Sequence, residues 1–241
     1  MRLENKITLI TGASRGIGKA SALALAKEGA VIVAVARNEA DLQAVCSEVE
    51  AAGGKASYVL CDVTDSAQVQ KTMDTCIERH GRIDILVNNA GVGGYRPFLD
   101  WTEEDYDRIM DTNAKSTWLF CRAAIPPMLE AGGGQIINVS SVAGLQGYPH
   151  EAIYCASKFA QMALTQALDR EFFERGIKVA AVCPGGVETF FALGDGRTAG
   201  EPKMSGFSTA EDVAEAVVMA AIPRPRSRIV NIIMRPMGEA Q

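Results

Sequence analysis

Thr11-Gly12-Ala13-Ser14-Arg15-Gly16-Ile17-Gly18 guides the interpretation of this sequence. The apolar run Ile7–Ile10 precedes it and a helix-favouring run follows it, so its glycines lie between a buried strand and a helix. Gly12 permits a tight turn out of the strand, while Gly16 and Gly18 let the backbone closely approach a ligand or the sheet. The N–H groups at the start of the helix then face a phosphate group. An ordinary glycine-rich turn remains the alternative, because this spacing alone is a weak motif.

Short aliphatic runs alternate with helical patterns along the chain, which predicts a single α/β domain over 1–241. Strands are expected at Lys6–Thr11, Val31–Ala36, Ala56–Leu60, Ile83–Asn88, Gln135–Val139, Lys178–Cys183 and Ile229–Ile233. Helices are expected at Gly16–Glu28, Glu39–Ala52, Ser66–His80, Glu103–Leu129, Ala152–Arg175 and Ala210–Ala221. Because these strands are apolar on both faces, they predict a doubly wound parallel sheet of about seven strands between helical layers. Thr189–Ser208 breaks the alternation and is predicted to form a lid loop over the substrate.

The bulk composition excludes several classes of function. The net charge of −5 disfavours a general nucleic-acid binder, which typically carries a basic surface. The apolar runs are too short to span a bilayer, and the first residues lack the pattern of a secretory signal. The six cysteines are scattered without metal-ligand spacing, and there are only two histidines. We therefore expect reduced thiols, no metal and a cytoplasmic location.

Ligands of open parallel sheets bind at the carboxyl ends of the strands, so the residues after each strand are candidate site residues. Arg37 follows the second strand, where a cation suits the 2′-phosphate of NADP; the alternative is a solvated surface arginine. Arg15, inside the glycine turn, is a second candidate phosphate partner. Asp62 and Val63 follow the third strand, and Asp62 is expected either to accept from an adenine amine or to cap the next helix.

Three further groups follow the later strands. Asn88-Asn89-Ala90-Gly91 comes after the fourth strand and either lies against a flat ligand or forms a plain turn. Ser140-Ser141 comes after the fifth strand and supplies hydroxyls that can orient a carbonyl oxygen. Tyr154 and Lys158 are four residues apart and share a helical face, so the ammonium is expected to lower the Tyr154 pKa from ~10. Tyr154 would then serve as a general acid/base, an inference that is weak from this pair alone and strong beside the glycine turn.

The chain resembles the short-chain dehydrogenase/reductase family over nearly its whole length. The resemblance rests on the glycine turn and on Asn88–Gly91, Asn113, Ser141, Tyr154, Lys158 and Pro184-Gly185, in the family's order. It implies a three-layer Rossmann-type domain with the substrate site in the same domain. It also implies an oxidoreductase that transfers a hydride between NADP(H) and a carbonyl or secondary alcohol.

The resemblance further implies a role for each matching residue. Tyr154 would donate a proton to the carbonyl oxygen, and Lys158 would bond the nicotinamide ribose and keep Tyr154 acidic. Ser141, rather than its neighbour, would polarise the substrate oxygen, and Asn113 would hold a water that passes protons to Lys158. Thr189 would bond the nicotinamide carboxamide. The expected cofactor-binding residues are Gly12, Ser14, Arg15, Gly16, Ile17, Gly18, Arg37, Asp62, Val63, Asn89, Ala90, Gly91, Tyr154, Lys158, Pro184, Gly185, Val187 and Thr189.

Alternatives to a general carbonyl reductase remain open. The pattern is most similar to that of 3-oxoacyl acyl-carrier-protein reductases, which carry basic residues before the fifth strand. Here that stretch, Pro127–Gly132, has no cation, although Arg175 is retained. The case for a carrier-protein partner is therefore weakened. A non-catalytic NADP-binding sensor, or an isomerase, dehydratase or epimerase, is also possible on this fold. Cys155, beside Tyr154, is expected to be a buried inert thiol rather than a reactive one.

The expected pocket residues are Gly93, Gly94, Tyr95, Val142, Gln146, Tyr148, Glu151, Gly186, Phe190 and Phe191. The mostly apolar wall predicts neutral or ester ketones as substrates, and Glu151 would repel small acids if it faced the cavity. In the family, helices equivalent to Glu103–Leu129 and Ala152–Arg175 pair across a two-fold axis. The resemblance therefore implies a homotetramer, with a dimer as the second choice.

Overall fold

A computed structural model describes residues 1–189, 191–193, 195–198, 206–224 and 226–238. Its strands are β1 (Ile7–Thr11), β2 (Val31–Ala36), β3 (Lys55–Leu60), β4 (Ile85–Asn88), β5 (Gly134–Val139), β6 (Ile177–Pro184) and β7 (Asn231–Met234). Its helices are α1 (Gly16–Lys27), α2 (Glu39–Ala51), α3 (Ser66–His80), α4 (Glu103–Met110), α5 (Ser116–Glu130), α6 (Ala152–Phe172) and α7 (Ala210–Ala221). In the described part of the chain, no helix has the length and apolar character needed to cross a membrane.

All seven strands belong to one parallel sheet with the order β3-β2-β1-β4-β5-β6-β7. The chain builds outward from β1 in one direction and then from β4 in the other, so the winding reverses between these two strands. Ile10 of β1 pairs with Val87 of β4, and Thr11 pairs with Val35 of β2, which brings their carboxyl ends to one edge. The prediction of a doubly wound parallel sheet is confirmed, and ligands of such sheets bind at this reversal.

Two hydrophobic clusters cover the two faces of the sheet. Ile10 shares one cluster with Leu25 of α1 and Val217 of α7. Leu9, its neighbour in β1, shares the other with Phe120 of α5. Successive residues of a strand point to opposite faces, and all five residues of β1 are buried. This interior strand is therefore buried on both sides, as its sequence predicts.

The helix expected at Glu103–Leu129 differs from the prediction. α4 ends at Met110, a single π-helical turn spans Asp111–Lys115, and α5 follows. Such turns recur at functional sites because they redirect one side chain within a continuous helix. Here the turn carries Asn113, whose amide side chain reaches Val92 and Ser157. Apolar periodicity carried no sign of this inserted turn.

The glycine turn brings α1 unusually close to the sheet. Gly12 has φ +63°, a backbone conformation that residues with a side chain rarely adopt. A Cβ on Gly18 would collide with the carbonyl oxygen of Gly12 and with the Asn89 amide nitrogen. That nitrogen donates to the carbonyl oxygens of Thr11 and Gly12 at 3.0 and 3.1 Å, which fastens the turn to the end of β4. Glycine is therefore required at both positions by steric contact.

Replacing Gly18 with alanine is expected to reduce the free energy of unfolding by about 1–3 kcal/mol, because backbone atoms cannot move away without breaking the turn. Urea unfolding followed by circular dichroism measures the change. Gly147→Ala is the matched control, since nothing lies within 4 Å of a Cβ there. Equal losses in the two variants would contradict this account of the turn.

Candidate active site

A cavity of about 1230 Å³ lies at the carboxyl edge of the sheet. Each of the first six strands contributes to its lining through a residue at or after its end, namely Gly12, Arg37, Asp62, Asn89, Ser141 and Pro184. All the expected cofactor-binding residues line this cavity except Gly18, which lies behind the turn against Gly12 and Asn89. The sequence-predicted residues are therefore brought together at one site, from the glycine turn to Tyr154.

The glycine turn forms a positive end of the cavity. Among the described residues, the first turn of α1 contains no acidic side chain, and its N-cap residue, Arg15, makes no side-chain capping bond. The backbone N–H groups of this turn and the positive end of the helix dipole therefore suit an anion. Arg15 and Arg37 line the same cavity, and both are exposed. This donor set fits the phosphate groups of a dinucleotide, and the arginines fit an additional phosphate on its ribose.

Asp62 lies at the end of β3 and does not cap the following helix. Its Oδ1 accepts from the backbone N–H and the hydroxyl of Thr64 at 3.0 and 2.8 Å, and these bonds lower its pKa. The N-cap of α3 is instead Asp65, which accepts from the N–H groups of Ala67 and Gln68. The capping alternative for Asp62 is therefore wrong. Its carboxylate is ionised and faces the cavity, where it can accept from an amine.

Ser141, Tyr154 and Lys158 meet at the other end of the cavity. Ser141 lies in the loop after β5. Its hydroxyl accepts a hydrogen bond from Ala143 N–H at 3.1 Å, and it is also hydrogen-bonded to the Tyr154 side chain. Its neighbour Ser140 instead donates to the carbonyl oxygen of Lys158 at 3.3 Å. Tyr154 is 8% exposed and Lys158 is 4% exposed. A serine hydroxyl, a phenol and an amine thus converge where water is largely excluded.

The pKa values of this pair depart from the sequence-based expectation. Burial raises the pKa of Tyr154 well above its usual range, and the hydrogen bond with Ser141 only partly opposes this. Burial lowers the pKa of Lys158 to about 7. The Lys158 Nζ lies 5.7 Å from the Tyr154 ring centroid and donates to Val139 O and Gln161 Oε1. The expected lowering of the Tyr154 pKa is therefore not found in this structure, because desolvation by burial is the largest influence on that pKa.

Asn113 braces the site through its side chain. Its Oδ1 accepts from Val92 N–H at 2.8 Å, and its Nδ2 donates to Val92 O at 2.8 Å and to Ser157 Oγ at 2.9 Å. The loop after β4 is thereby tied to α6 beside Lys158. The backbone carbonyl of Asn113 accepts from Thr117 Oγ1 at 2.8 Å.

Six of the expected pocket residues line the cavity: Tyr95, Val142, Tyr148, Glu151, Gly186 and Phe191. Phe190 lies outside the described residues. The remaining three do not line the cavity: Gly93 abuts Phe191, Gly94 abuts Asp195, and Gln146 donates to the Tyr148 hydroxyl at 2.7 Å. The Phe191 ring packs 5.4 Å from the Tyr154 ring. Cys155 is buried with a raised pKa, which favours an inert thiol.

Sequence reasoning missed an ion-pair network beside the cavity. Arg96 pairs with Asp105 at 2.9 Å and also with Asp195, while Arg108 pairs with Asp195 at 2.8 Å. The network fastens the loop that contains Asp195 to the start of α4. Arg197, from the same loop, lines the cavity between the rings of Tyr95 and Phe207. No local sequence pattern predicts these contacts, because Asp195 lies 99 residues from Arg96 in the chain.

Comparison with known proteins points to one family. A family model described as short chain dehydrogenase matches residues 6–197. A 3beta-hydroxysteroid dehydrogenase of Mediterraneibacter gnavus is 41% identical over 189 residues, which are 78% of this chain and 68% of that protein. A 3-oxoacyl acyl-carrier-protein reductase of Thermotoga maritima is 39% identical over 189 residues, which are 78% of this chain and 77% of that protein.

Solved structures are similar over nearly the whole chain. A metagenomic short-chain oxidoreductase in complex with NADP has a TM-score of 0.86 and 32% identity, covering 99% of this chain and 100% of that one. An alcohol dehydrogenase from the archaeon Thermococcus sibiricus, complexed with 5-hydroxy-NADP, has a TM-score of 0.90 and 28% identity, covering 99% of both chains. Similarity in sequence and similarity in fold therefore agree.

Proposed function

The chain belongs to the short-chain dehydrogenase/reductase family of oxidoreductases, and from this we propose that it transfers a hydride between NADP(H) and a carbonyl or secondary-alcohol carbon beside Tyr154. One observation carries the proposal: a single cavity contains both the glycine turn and the Ser141, Tyr154 and Lys158 side chains. A phosphate-binding end and a proton-donating end are then joined in a space large enough for a dinucleotide and a small substrate.

The chain's residues divide the work of binding the cofactor. All of them line the cavity, where the start of α1 and Arg15 would hold the phosphates, Arg37 would pair with the 2′-phosphate, and Asp62 would accept from the adenine amine. Thr189 lies beside Gly16 and would bond the nicotinamide carboxamide. The bound nicotinamide supplies or accepts the hydride.

Proton transfer is assigned to the buried end of the cavity. Ser141 donates a hydrogen bond to the substrate oxygen and orients it towards the Tyr154 hydroxyl. Tyr154 gives its proton to that oxygen in reduction and takes it back in oxidation. Lys158 supplies positive charge beside the phenol, which favours the phenolate that forms after proton transfer. A Tyr154 pKa raised by burial keeps the phenol protonated and ready to donate before transfer.

Tyr154→Phe is expected to lower kcat for NADPH-dependent ketone reduction by about 10²–10⁴-fold, because it removes the proton donor and little packing. The Kd for NADPH, measured by fluorescence titration, should change less than about threefold. Ile153→Val, one position away on α6, is the control for packing changes. Retention of most activity by Tyr154→Phe would rule out this mechanism.

Cofactor preference provides a second test. The parent should use NADPH with kcat/KM at least about tenfold above that for NADH, since one charge-assisted contact to the extra phosphate discriminates by this factor. Combining Arg37→Ala with Ala36→Asp should move the preference towards NADH, because a carboxylate suits a free 2′-hydroxyl. Equal efficiency with both cofactors in the parent would refute the assignment to Arg37.

For the substrate, we propose neutral or ester ketones. The support is the wall of Tyr95, Val142, Tyr148 and Phe191, which offers apolar and aromatic surface beside Tyr154. The 3-oxoacyl acyl-carrier-protein reductase reading is the alternative, favoured by the 39% identity to the Thermotoga maritima enzyme. We also propose that the segment 189–208 serves as a substrate lid, although residues 190, 194 and 199–205 of this segment lie outside the described residues.

Comparing kcat/KM for a ketoester, its free ketoacid and a 3-oxoacyl thioester separates these possibilities. The ketoester is expected to exceed the free acid by at least about tenfold, because Glu151 lines the cavity and opposes a carboxylate. A preference for the acid would contradict the pocket argument. A large preference for the thioester would support the fatty-acid reductase reading.

For assembly, we propose a homotetramer. Large apolar side chains are exposed on the helices expected to pair: Tyr106 on α4, Trp118 on α5 and Phe159 on α6. At the sheet edge, Ile233 of β7 is also exposed. Two such surfaces suit two sets of subunit contacts. Light scattering at micromolar concentration should give four times the chain mass, with a dimer as the second choice, and a stable monomer would reject both.

For location, we propose the cytoplasm. The support is that all six cysteines are free and buried, which suits a reducing compartment. Fractionation of the source cells with an antibody should recover the protein with cytoplasmic markers. Recovery with extracellular or membrane fractions would contradict this proposal.

A further inference from the structure

An unbroken chain of buried hydrogen bonds runs from Lys158 into the protein. Lys158 Nζ donates to Gln161 Oε1 at 2.8 Å, and Gln161 Nε2 donates to Thr117 Oγ1 at 2.7 Å. Thr117 Oγ1 then donates to the carbonyl oxygen of Asn113 at 2.8 Å. Gln161 is fully buried, and Thr117 is 1% exposed. The mechanism above assigns no role to this glutamine.

The far end of the chain fixes the orientation of the Gln161 amide. The Thr117 hydroxyl has one proton, and it is committed to Asn113 O. Thr117 Oγ1 can therefore only accept from Gln161, so the amide NH₂ faces Thr117 and the amide oxygen faces Lys158. Gln161 thus presents a hydrogen-bond acceptor, and not a donor, to the amine.

The groups around Lys158 explain why the Gln161 acceptor matters for the charge of the amine. In the part of the chain that the structure describes, the titratable groups that face Lys158 are Tyr154, on its own helix, and Cys183, from β6. The other neighbouring segments present Gly91 and Asn113, which do not titrate. The acceptors bonded to Nζ are two neutral oxygens, Val139 O at 3.0 Å and Gln161 Oε1. Among the described residues, the charged amine is therefore stabilised by dipoles rather than by a buried counter-ion.

We propose that Gln161 is a positioning residue that holds the Lys158 amine towards the cavity and sets the pH at which it loses its proton. The proposal deepens the proposed function, on which it rests, because Lys158 acts on Tyr154 and on the cofactor ribose. Two of the three N–H donors of the Lys158 ammonium bond Val139 and Gln161, which leaves the third N–H for the cavity. Burial lowers the pKa of Lys158 to about 7, so loss of either acceptor would change the charge of the Lys158 amine near neutral pH.

Two substitutions at Gln161 test the proposal in opposite directions. Gln161→Leu removes the acceptor at similar volume, which disfavours the charged amine and should lower the Lys158 pKa by at least about half a unit. Gln161→Glu places a carboxylate oxygen at the same position and should raise it by at least about half a unit. A residue needed only for packing would produce no opposite shifts.

The Lys158 pKa is measured without the cofactor, by NMR titration of lysine carrying ¹³C at Cε, with Lys158→Arg identifying the resonance. Leu168→Ala is the matched control, since Leu168 lies on α6 and packs in the core away from Lys158. It should lower the melting temperature and leave the titration midpoint unchanged. Identical midpoints in the parent, Gln161→Leu and Gln161→Glu would overturn the proposal.

The pH profile of kcat/KM for NADPH-dependent ketone reduction gives the second readout. The ionisation assigned to Lys158 should shift down in Gln161→Leu and up in Gln161→Glu, in step with the NMR midpoints. Opposite NMR shifts in a protein that reduces no carbonyl compound would contradict the proposed function and leave the role of Gln161 supported. Carbonyl reduction with unshifted pH profiles and unshifted NMR midpoints would support the proposed function and overturn the role of Gln161.

Discussion

The contact between α1 and the ends of β1 and β4 organises this protein. A side chain on Gly18 would strike the carbonyl of Gly12, and the Asn89 amide bonds that same carbonyl. The helix is thus held close enough for its N-terminal N–H groups to face the cavity. Because the sheet winding reverses between β1 and β4, the crevice opens beside this helix end. The phosphate-binding end that we propose follows from this backbone geometry, and the selectivity that we propose rests on the two arginines that line the cavity.

At the opposite end, the site relies on burial. Burial of Tyr154 and Lys158 keeps most water away from them, which raises the pKa of Tyr154 and lowers that of Lys158. Both shifts favour the neutral forms, a phenol able to donate a proton and an amine whose charge changes near neutral pH. The hydrogen bonds from Ser141, Val139 and Gln161 keep these groups oriented. Reactive groups are thereby kept ready in a dry site whose polar atoms still have partners.

The sequence was informative wherever a short pattern determines local geometry. The glycine turn, the apolar strands and the Tyr154–Lys158 spacing each predicted their surroundings, and β7 begins only two residues later than expected. Prediction failed where distant residues decide the outcome. Helical periodicity cannot reveal the π-helical turn at Asn113, and spacing cannot reveal the pairing of Arg96 with Asp195. The Tyr154 pKa was misjudged because burial, which no single-residue pattern reports, raises it.

Calorimetric titration of the protein with cofactor fragments tests whether the glycine turn and its arginines form the NADP(H) site. We expect 2′,5′-ADP to bind at least about tenfold more tightly than 5′-AMP, since it alone carries the phosphate assigned to Arg37. The fragment should also compete with NADPH for a single site per chain. Equal affinity for the two fragments, or no binding of either, would contradict the account.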